Sequence, residues 1–484
     1  MTTETITNKS QSIKCKLHYR NLNAPINLPG LSQTFSELKS ASILGANSSR
    51  TDAGRFSYWA AEPKEIFEFQ KGQKNPFEKL HKVLSKYKLE NPAMNWGLPK
   101  GIFCGGWTGF FSYELSRFIE HLPATTVDDL EMPLIRLSFY DRVIAYDHLK
   151  NTFWLLALET PDDTKQTEQK LTELEQFVIQ SQHIDVSPPA PAEFDNMDLS
   201  TIRCNMSKVY YLQSVKKIKQ YIYDGEVYQI NFSRRFESEF NAAAIDLFHW
   251  QNHYNPSPYA TYIDGGNFHI VSASPEMFIT TADGIIQTKP IKGTRQRFDE
   301  NDRRQPQVIQ TNTKNLNELL YSEKEQAELN MIIDLERNDV AKICVPGTRK
   351  VVQPRAIESY PTVFHAVATI AGRLRDDITF CDILKAMFPG GSITGAPKIR
   401  SMEIIDETEL TARGVYTGSI GFIGIDGIVC LNIAIRTIII KGQKAYAQTG
   451  GGIVADSNAE AEWQETITKA RALLAGINSV MRRA

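Results

Sequence analysis

The sequence predicts an α+β protein with large, mainly antiparallel β-sheets. Short apolar runs separated by Gly and Pro turns are typical of strands, and these runs outnumber clean alternations of one strand with one helix. Hydrophobic residues make up 42% of the 484 residues, which suits a chain with a large core, and no fixed-period repeat is present. A doubly wound nucleotide-binding fold is therefore disfavoured.

Strands, a helix and a linker are predicted in the first part of the chain. The residues from Arg142 to Glu159 predict two strands joined by a turn at Asp147–Asn151, and a helix is expected near Asp163–Ser181. Three prolines between residues 187 and 191 exclude a helix or a central strand there and predict a linker. The expected regions are an N-terminal region 1–186, a linker 187–200 and a C-terminal region 201–484.

A helix and several strands are predicted after the linker. Ser207 suits an N-cap, and an apolar stripe at helical spacing then runs to Gly225. Strands are expected at 227–236, 418–425 and 431–440, and a helix at Pro397–Ile405. Arg436 would then lie inside an apolar strand, where a guanidinium needs a partner and so suits carboxylate recognition.

Composition and charge argue against several classes of function. The chain carries 54 basic and 56 acidic residues, a net charge of −2, so neither nucleic acid nor a membrane is an expected partner. The six cysteines form no CxxC pair, and no apolar run reaches the ~18 residues of a membrane span. A polar N-terminus without the apolar stretch of a signal peptide predicts a cytoplasmic protein.

The glycine-rich segment Phe388–Lys398 invites comparison with a phosphate-binding loop. The pattern GxxxxGK[ST] fails there, because Ala396 and Pro397 follow Gly395. The backbone N–H groups of such a loop are able to bind an anion, and a tight turn before a helix is an equally good interpretation. A nucleoside triphosphatase is therefore disfavoured.

Two predicted helices carry glutamate pairs three residues apart: Glu325 with Glu328, and Glu462 with Glu465. Each pair lies on one helix face, so four carboxylates would converge if the two faces meet. Hard oxygen ligands of this kind suit Mg²⁺. A solvated acidic face is the commoner case for each helix alone, because Ser-x-x-Glu capping boxes stand at both helix starts.

Lys292 stands in a glycine-flanked turn after a predicted strand, within PIKGT. A surface lysine is the ordinary case, because a pKa of ~10.4 leaves only about one amine in a thousand free at neutral pH. A nucleophilic lysine would need its pKa lowered by ~3 units, which a desolvated site or a neighbouring cation supplies. His365 lies in an apolar run, where a core histidine with satisfied hydrogen bonds is the commoner case.

Taken in order, several motifs closely resemble the chorismate-utilising enzymes. These motifs are GEVYQINFSRRF, SASPEMF, PIKGTRQR, MIIDLERND, FPGGSITGAPKIRSMEIIDE, GVYTGSIGFI, NIAIRT and GGGIVADSNAEAEWQET, with a looser N-terminal match in LKSASI, GRFSY and CGGWTGFFSYEL. The resemblance covers nearly all of the C-terminal two-thirds of the chain. It implies an α+β fold of two large, mainly antiparallel sheets packed as a sandwich, with helices on the outside and the active site between the sheets.

The lysine of PIKGT distinguishes groups within that family. Anthranilate synthases usually have Ala where Lys292 stands, whereas aminodeoxychorismate synthases resemble this sequence in carrying Lys, which is a covalent nucleophile there. Similarity to that group implies amination of chorismate to 4-amino-4-deoxychorismate, on the way to 4-aminobenzoate and folate. Glu276 then matches the general acid that protonates the departing C4 hydroxyl, and Lys292 matches the nucleophile that attacks C2.

Other site residues are carried over from the family by position. Glu328 and Glu465 match the ligands of a Mg²⁺ cofactor, and Glu325 and Glu462 match nearby or water-mediated partners. Positions that match substrate contacts, the substrate cradle or other active-site positions are Gly293, Thr294, His365, Thr394, Tyr416, Arg436, Gly450, Gly451 and Gly452. The expected substrate is chorismate.

The resemblance also implies a tryptophan pocket in the N-terminal part. The matching positions are Ser40, Arg55, Phe56, Pro258, Tyr259 and Ala260. In some members this pocket is a feedback site, and in others it is a structural site that holds a buried tryptophan. The regulatory element LLESA of the family is changed to LKSAS here, so both alternatives stay open.

A separate glutamine amidotransferase subunit is the implied source of ammonia, because the chain lacks a Cys nucleophile in a GxCxG-like elbow with a downstream His and Glu. Two rival functions stay open. One is that of an anthranilate synthase component I, which would remove pyruvate and aromatise the ring. The other is a non-catalytic sensor of chorismate or tryptophan, against which Glu276 and Lys292 argue, because a sensor needs neither an acid nor a nucleophile.

Overall fold

The structure, a computed structural model, describes residues 12–45, 54–90, 97–191, 202–298, 306–360 and 363–483. Within these ranges the helices are α1 (Leu28–Ser36), α2 (Pro76–Leu84), α3 (Thr167–Ser181), α4 (Lys208–Tyr223), α5 (Ala244–Tyr254), α6 (Pro306–Tyr321), α7 (Glu323–Ala341), α8 (Phe380–Met387), α9 (Lys398–Thr408) and α10 (Ala459–Met481). The strands are β1 (Ile13–Leu22), β2 (Ser42–Leu44), β3 (Phe56–Ala60), β4 (Glu65–Phe69), β5 (Tyr87–Leu89), β6 (Gly106–Phe111), β7 (Ile135–Tyr140), β8 (Arg142–Asp147), β9 (Thr152–Glu159), β10 (Arg203–Cys204), β11 (Gln229–Glu239), β12 (Tyr259–Asp264), β13 (Phe268–Ser274), β14 (Met277–Ala282), β15 (Ile285–Lys289), β16 (Ile291–Gln296), β17 (Lys350–Ser359), β18 (Val363–Arg373), β19 (Gly395–Ala396), β20 (Ser419–Gly424), β21 (Val429–Ile433), β22 (Thr437–Lys441) and β23 (Lys444–Ile453).

Two large sheets contain all of these strands. In the described residues the larger sheet has 13 strands in the order β10-β11-β23-β22-β13-β12-β2-β3-β8-β9-β1-β5, and β19 pairs with β11. The smaller sheet has 10 strands in the order β16-β18-β15-β14-β21-β20-β6-β7-β4, and β17 pairs with β18. One pair, β1 with β5, is parallel, and the rest are antiparallel. Each sheet contains strands from before and after the predicted linker.

The main core lies between the two sheets. Side chains of the larger sheet such as Tyr58 and Leu158 belong to the same buried cluster as Trp107, Phe139 and Phe422 of the smaller sheet. A second cluster lies on the outer face of the larger sheet, where α1, α3, α5 and α10 cover it. The predicted α+β fold of two large, mainly antiparallel sheets with helices outside is confirmed.

Local sequence signals located several elements correctly. Ser207 caps α4 by accepting a hydrogen bond from the backbone N–H of Tyr210 at 3.2 Å. The predicted pair of strands forms as β8 and β9, which are antiparallel neighbours. The predicted helix near Asp163 begins only at Thr167, because Gln166 forms the N-cap in a capping box with Gln169. Asp163 lies before the helix and accepts hydrogen bonds from the buried Lys170 and from Lys64, each at 2.8 Å.

One predicted strand is wrong. The run at 431–440 divides into β21 and β22, and Ala434, Ile435 and Arg436 form the connection between them. Arg436 adopts φ +50°, which breaks the strand and turns the chain from one sheet to the other. It therefore lies at a strand end and not inside an apolar strand as predicted.

Some predictions fall outside the described residues. Residues 192–201 include most of the predicted linker, so the domain boundaries stay a prediction.

In the described part of the chain, none of the helices combines the length and the apolar character needed to span a bilayer.

Lys170 is buried and connects α3 to the larger sheet through ion pairs and a hydrogen bond. Its Nζ contacts carboxylate oxygens of Asp141 at 2.7 Å and Asp163 at 2.8 Å, and it donates to the carbonyl oxygen of Leu158 at 2.9 Å. All three partners precede α3 in the chain. Removing the ammonium would leave two buried carboxylates with less compensation, which is costly in a low-dielectric interior.

We expect Lys170→Ala to lower the free energy of unfolding by about 3 kcal/mol, as for other broken buried ion pairs. The matched control is Lys165→Ala on the same side of the fold, because Lys165 pairs with Glu173 at 2.8 Å in an exposed position. That control should cost less than about 1 kcal/mol. Urea unfolding followed by circular dichroism compares the two variants, and equal losses would contradict a structural role for the buried pair.

Candidate active site

Glu276 lies in the short connection between β13 and β14 and is buried. Its Oε1 accepts a hydrogen bond from the backbone N–H of Ile291 at 3.2 Å, and the Ser392 hydroxyl donates to the same carboxyl group. Burial raises the pKa of Glu276, and these hydrogen bonds together with Lys292 oppose the effect only in part. A raised pKa keeps more of the carboxyl protonated near neutral pH, as a general acid requires.

Lys292 lies in strand β16 and not in a turn as predicted. The register of β16 against β18 shifts between Ile291 and Thr294, so the lysine sits at a β-bulge. Gly293 adopts φ +87° at this bulge, a conformation that residues with a Cβ seldom take. The Lys292 Nζ donates a hydrogen bond to the carbonyl oxygen of Ser392 at 3.1 Å.

Burial lowers the pKa of Lys292, which is only half-exposed to solvent. The carboxylates of Glu328, Glu276 and Glu465 raise this pKa, and Lys469 lowers it, so desolvation of the ammonium decides the direction. A lower pKa increases the fraction of free amine at neutral pH. This is the condition that a nucleophilic lysine has to meet.

His365 lies on β18 opposite Thr294, and its Nδ1 is 2.9 Å from the Thr294 Oγ1. Burial and the nearby Arg436 lower the pKa of His365 to about 3, with opposition from the backbone of Gly293, so the ring is neutral at physiological pH. The Nε2 atom is buried and has no hydrogen-bond partner among the residues described. His365 thus differs from a core histidine with satisfied hydrogen bonds, and its Nε2 is available to a polar ligand atom.

Arg436 acts electrostatically on this histidine, and no described side chain supplies it with a counter-ion. Burial lowers the pKa of Arg436, and no carboxylate among the described residues opposes this effect. Tyr416 is buried close by in the fold, since the N–H of the next residue, Thr417, donates to the carbonyl oxygen of Ala434 at 2.8 Å. Burial raises the pKa of Tyr416, so the phenol keeps its proton. The pair offers a cation and a hydroxyl to an anionic ligand.

Thr394 and the three consecutive glycines meet at strand β11. The Asn231 N–H donates to the carbonyl oxygen of Thr394 at 2.8 Å, and Asn231 lies opposite Gly452 in the sheet. The Thr394 hydroxyl is used within its own loop, where it donates to the carbonyl oxygen of Gly390 at 3.0 Å. A Cβ at Gly450 would lie 2.6 Å from the carbonyl oxygen of Phe232, so glycine is needed for the close approach of β11 and β23.

On α7, Glu325 packs against the PIKGT segment. Its Oε1 accepts a hydrogen bond from Arg295 at 2.7 Å, while its Oε2 is buried without a partner among the described residues. A Cβ at Gly293 would lie 2.6 Å from that Oε2 atom. Glu328, one turn further along, has its Oε1 4.0 Å from the Nζ of Lys324.

Asn458, and not Ser457 as predicted, caps α10 by accepting hydrogen bonds from the N–H groups of the first turn. Ser457 instead donates to Glu462 at 2.6 Å, and burial raises the pKa of Glu462. Burial also acts to raise the pKa of Glu465, but Lys469 at 2.7 Å outweighs it with help from other lysines, so this pKa is lowered. Glu465 is therefore ionised at neutral pH.

The two glutamate pairs face the same region. A Cβ at Gly451 would lie 3.2 Å from Oε2 of Glu462 and 3.7 Å from Oε1 of Glu465. Lys324 of α7 lowers the pKa of both these α10 carboxylates, so the two helices are close enough to interact. Even so, no group of three or more His, Cys, Asp or Glu side chains with metal-binding geometry occurs in the part of the chain that is described. The sequence left convergence of the four carboxylates conditional on the two helix faces meeting, and among the described residues these side chains do not form a metal-binding group.

These donors nevertheless suit Mg²⁺ chemically. Mg²⁺ in proteins is commonly held by one or two carboxylates, with water and an anionic substrate completing the shell. The side chains present are carboxylates, and one buried oxygen, Oε2 of Glu325, has no partner of its own among the described residues. The ammonium groups of Lys324 and Lys469 lie next to Glu328 and Glu465 and neutralise part of the carboxylate charge that a bound cation would neutralise.

The positions of the expected tryptophan pocket are brought together from distant parts of the sequence. A Cβ at Gly54 would lie 2.9 Å from the Cα of Pro258, and Ala260 accepts a hydrogen bond from the N–H of Gly45 at 2.7 Å. Ser40 and Arg55 have polar partners, Asp264 at 2.9 Å and Asp147 at 2.7 Å. Phe56 begins β3 and Tyr259 begins β12, and both strands flank β2. Residues 46–53, between these positions, lie outside the described ranges.

Sequence reasoning missed two residues of this region, Ser392 and Glu336. Ser392 contacts both Glu276 and Lys292, and nothing in its local sequence indicates this. Glu336 is buried on α7, and its distance of 11 residues from Glu325 places both on one helix face, since 11 residues make about three turns. That periodicity was the available signal.

Comparison with known proteins adds relatives at moderate identity. A family model described as chorismate binding enzyme matches residues 46–475. Aminodeoxychorismate synthase component 1 of Bacillus subtilis (strain 168) is 35% identical over 432 residues, which cover 89% of this chain and 88% of that protein. Anthranilate synthase component 1 of Acetivibrio thermocellus is 37% identical over 412 residues, which cover 83% of this chain and 80% of that protein.

Solved structures show a similar fold. The crystal structure of anthranilate synthase component I from Streptococcus pneumoniae TIGR4 matches with a TM-score of 0.70 and 30% identity, over 87% of this chain and 93% of that one. The menaquinone-specific isochorismate synthase from Escherichia coli matches with a TM-score of 0.66 over 97% of this chain and 96% of that one. At 16% identity, the second likeness concerns the fold alone.

The opposite pKa shifts of two lysines give a direct test of this site. Burial lowers the pKa of Lys292, whereas Glu237 at 2.6 Å raises that of the surface residue Lys444. In trace acetylation across pH, read by peptide mass spectrometry, we expect the Lys292 midpoint to lie below the ordinary lysine value of ~10.4 and the Lys444 midpoint above it. A Lys292 midpoint at or above that of Lys444 would contradict the desolvated site.

Proposed function

Because this chain belongs to the chorismate-binding enzyme family, as its motifs predicted, we propose that it acts as an aminodeoxychorismate synthase component 1. It would convert chorismate and ammonia to 4-amino-4-deoxychorismate and water, on the way to 4-aminobenzoate. The observation that carries the assignment is the position of Lys292, which is half-buried beside Glu276. Burial lowers the pKa of Lys292 and raises the pKa of Glu276.

Glu276 serves as the general acid in this proposal. It gives its proton to the C4 hydroxyl of chorismate, which leaves as water, and the carboxylate that remains is stabilised by the Ile291 N–H and the Ser392 hydroxyl. Burial favours the protonated form of Glu276 before the proton is transferred. After the transfer, the two hydrogen-bond donors stabilise the carboxylate that burial disfavours.

Lys292 serves as the nucleophile. Its neutral amine forms a bond to C2 while the C4–O bond breaks and the ring double bonds shift, which gives a covalent lysine adduct. Ammonia then bonds to C4, the C2–N bond to Lys292 breaks, and the lysine leaves as a neutral amine after proton transfer. Two allylic displacements thus replace one difficult direct substitution at C4.

Several residues are proposed to hold the dianionic substrate. Arg436 has no counter-ion among the described side chains and so suits a substrate carboxylate, with Tyr416 as a hydroxyl donor. The neutral His365 offers its unpartnered Nε2 to a polar substrate atom. Gly293, Thr294, Thr394 and the three glycines of β23 are proposed to shape the substrate cradle.

Mg²⁺ is the proposed cofactor, held by Glu328 and Glu465 with Glu325 and Glu462 nearby. When bound, it would neutralise carboxylate charge and help to bind a substrate carboxylate. Lys292 is sensitive to this charge, because Glu328 and Glu465 both act to raise its pKa.

Ammonia is proposed to come from a separate glutamine amidotransferase subunit. Several relatives carry names with the words component 1, which support a partner component for this chain. A bound tryptophan in the region around Ser40 and Pro258 is proposed as a structural or regulatory ligand, supported by the proximity of Gly54 to Pro258.

Anthranilate synthesis is the second candidate, because relatives of that name are as similar to the chain as the aminodeoxychorismate synthases are. The deciding experiment incubates the purified chain with chorismate, Mg²⁺ and an ammonium salt at mildly alkaline pH, and identifies the product by chromatography and mass. We expect 4-amino-4-deoxychorismate, which becomes 4-aminobenzoate only after a lyase is added. Anthranilate would overturn the assignment within the family, and no conversion would favour a sensor.

We expect Lys292→Ala to abolish the covalent adduct and to lower turnover on the order of 100-fold, about 2.7 kcal/mol of barrier. The matched control is Lys289→Ala, a lysine three residues earlier whose nearest ion-pair partner, Glu358, is 3.8 Å away. Mass spectrometry of enzyme quenched during turnover detects the adduct, and steady-state assays give the rates. Equal rates for both variants would remove lysine from the mechanism.

The metal proposal has its own test. We expect Glu465→Gln to weaken Mg²⁺ binding on the order of tenfold, because it replaces a charged oxygen ligand by a neutral amide. Glu460→Gln is the control, since Glu460 lies five residues earlier on the same helix and pairs with Lys208 at 2.7 Å on the surface. Titration calorimetry with Mg²⁺ measures binding without turnover, and unchanged affinity in Glu465→Gln would exclude this ligand.

A further inference from the structure

Glu336 is a buried carboxyl that the proposed chemistry leaves without a role. It lies on the inner face of α7 and is 2% exposed. Its Oε1 accepts a hydrogen bond from the backbone N–H of Gly391 at 3.0 Å, and its Oε2 accepts a longer one from the Thr288 hydroxyl at 3.4 Å. A carboxyl in the interior is costly, and the shorter of its two contacts is to the loop that carries Ser392.

Ser392, the residue after Gly391, contacts both proposed reacting groups. Its hydroxyl donates to Glu276, and its carbonyl oxygen accepts from the Nζ of Lys292 at 3.1 Å. Ser392 therefore bridges the two groups, with its hydroxyl on the acid and its carbonyl oxygen on the amine. Glu336 holds the N–H of the Gly390–Gly391 peptide, one residue before Ser392.

The contact between α7 and this loop is tight. A Cβ placed on Gly391 would lie 3.1 Å from Oε1 of Glu336 and 2.6 Å from a methyl carbon of Leu335. Such packing leaves little room for the loop to shift toward the helix. The hydrogen bond from Gly391 prevents a shift away from it.

Charge also connects Glu336 with the site. Burial raises the pKa of Glu336 to about 7, and Lys398 opposes this effect. The charges of Asp339 and Glu276 also raise the pKa of Glu336, whereas the hydrogen bond from the Gly391 N–H lowers it. Glu276 is among the groups that raise the pKa of Glu336, so the two carboxyl groups lie close enough for their charges to interact.

We propose that Glu336 is a positioning residue that holds the backbone of Gly391, so that Ser392 keeps Glu276 and Lys292 in their reactive arrangement. This inference rests on the proposed function for its effect on turnover. Glu336 is proposed to touch neither the substrate nor the reacting atoms and to act through the loop.

Three substitutions separate the hydrogen bond from the charge. Glu336→Gln keeps an oxygen that is able to accept from Gly391 but removes the charge. Glu336→Asp keeps the charge but is one methylene shorter, so it falls short of the Gly391 N–H. Glu336→Leu removes both. Thr288→Val is the matched control, because it deletes only the longer contact at 3.4 Å.

We expect Glu336→Asp and Glu336→Leu to lower kcat with ammonium by at least about tenfold while the KM for chorismate changes little, since misplaced reacting groups cost rate. Glu336→Gln should stay within about threefold of the parent chain, as should Thr288→Val. The pH midpoint for trace acetylation of Lys292 should shift in Glu336→Asp and Glu336→Leu and should be unchanged in Glu336→Gln. Thermal unfolding confirms that each compared variant is folded, and the Asp variant replaces the Leu variant if the latter is not.

The labelling midpoint needs no turnover, so it tests the positioning role even if the product proves to be anthranilate. A product other than 4-amino-4-deoxychorismate would thus overturn the proposed function alone. An unchanged Lys292 midpoint and kcat in folded Glu336→Asp would overturn the positioning role. So would a Glu336→Gln variant as damaged as Glu336→Asp.

Discussion

The site depends on the strand pairings that join the two parts of the chain into common sheets. In the smaller sheet, β6 pairs with β20 and places Gly109 opposite Gly421. A Cβ on Gly109 would lie 1.9 Å from the carbonyl oxygen of Arg136, and one on Gly421 would lie 2.0 Å from that of Cys430. Glycine is therefore required at both positions, at Gly109 for the approach of β7 and at Gly421 for the approach of β21. From β20 the sheet continues through β21 to β14, which begins directly after Glu276, so the position of the acid follows from this packing.

Local signals predicted those elements whose ends are fixed by nearby residues. Ser207 caps α4 because its own side chain bonds the first turn, and a sequence pattern is enough to find it. The division of 431–440 into two strands has a different origin, since the backbone of Ala434 bonds to Gly418 and Thr417. Partners so distant in sequence leave no periodicity to detect. The bulge at Lys292 likewise depends on its register with β18, which no local pattern encodes.

The same distinction applies to the site. Motif resemblance named residues that the structure places around one region, among them Glu276, Lys292 and His365, but it carried no information on their partners. The pairing of Glu325 with Arg295 and the contacts of Ser392 are tertiary and became visible only with coordinates. Glu336 was within reach of helical periodicity, because it lies about three turns from Glu325. Its burial was not predictable from that periodicity alone, because an acidic residue on a helix is ordinarily solvated.

Glu276 and Lys292 form no ion pair with each other in the described structure, and the directions of their pKa shifts depend on this. An ion pair between Glu276 and Lys292 would lower the pKa of the carboxyl and raise that of the amine, which is the wrong direction for both proposed roles. In the described structure the Lys292 Nζ bonds instead to a neutral carbonyl oxygen, and the carboxyl receives a neutral N–H and a neutral hydroxyl. Burial then moves each group toward its uncharged form. A protonated acid and a free amine are thereby able to coexist in one site, with Ser392 in contact with both.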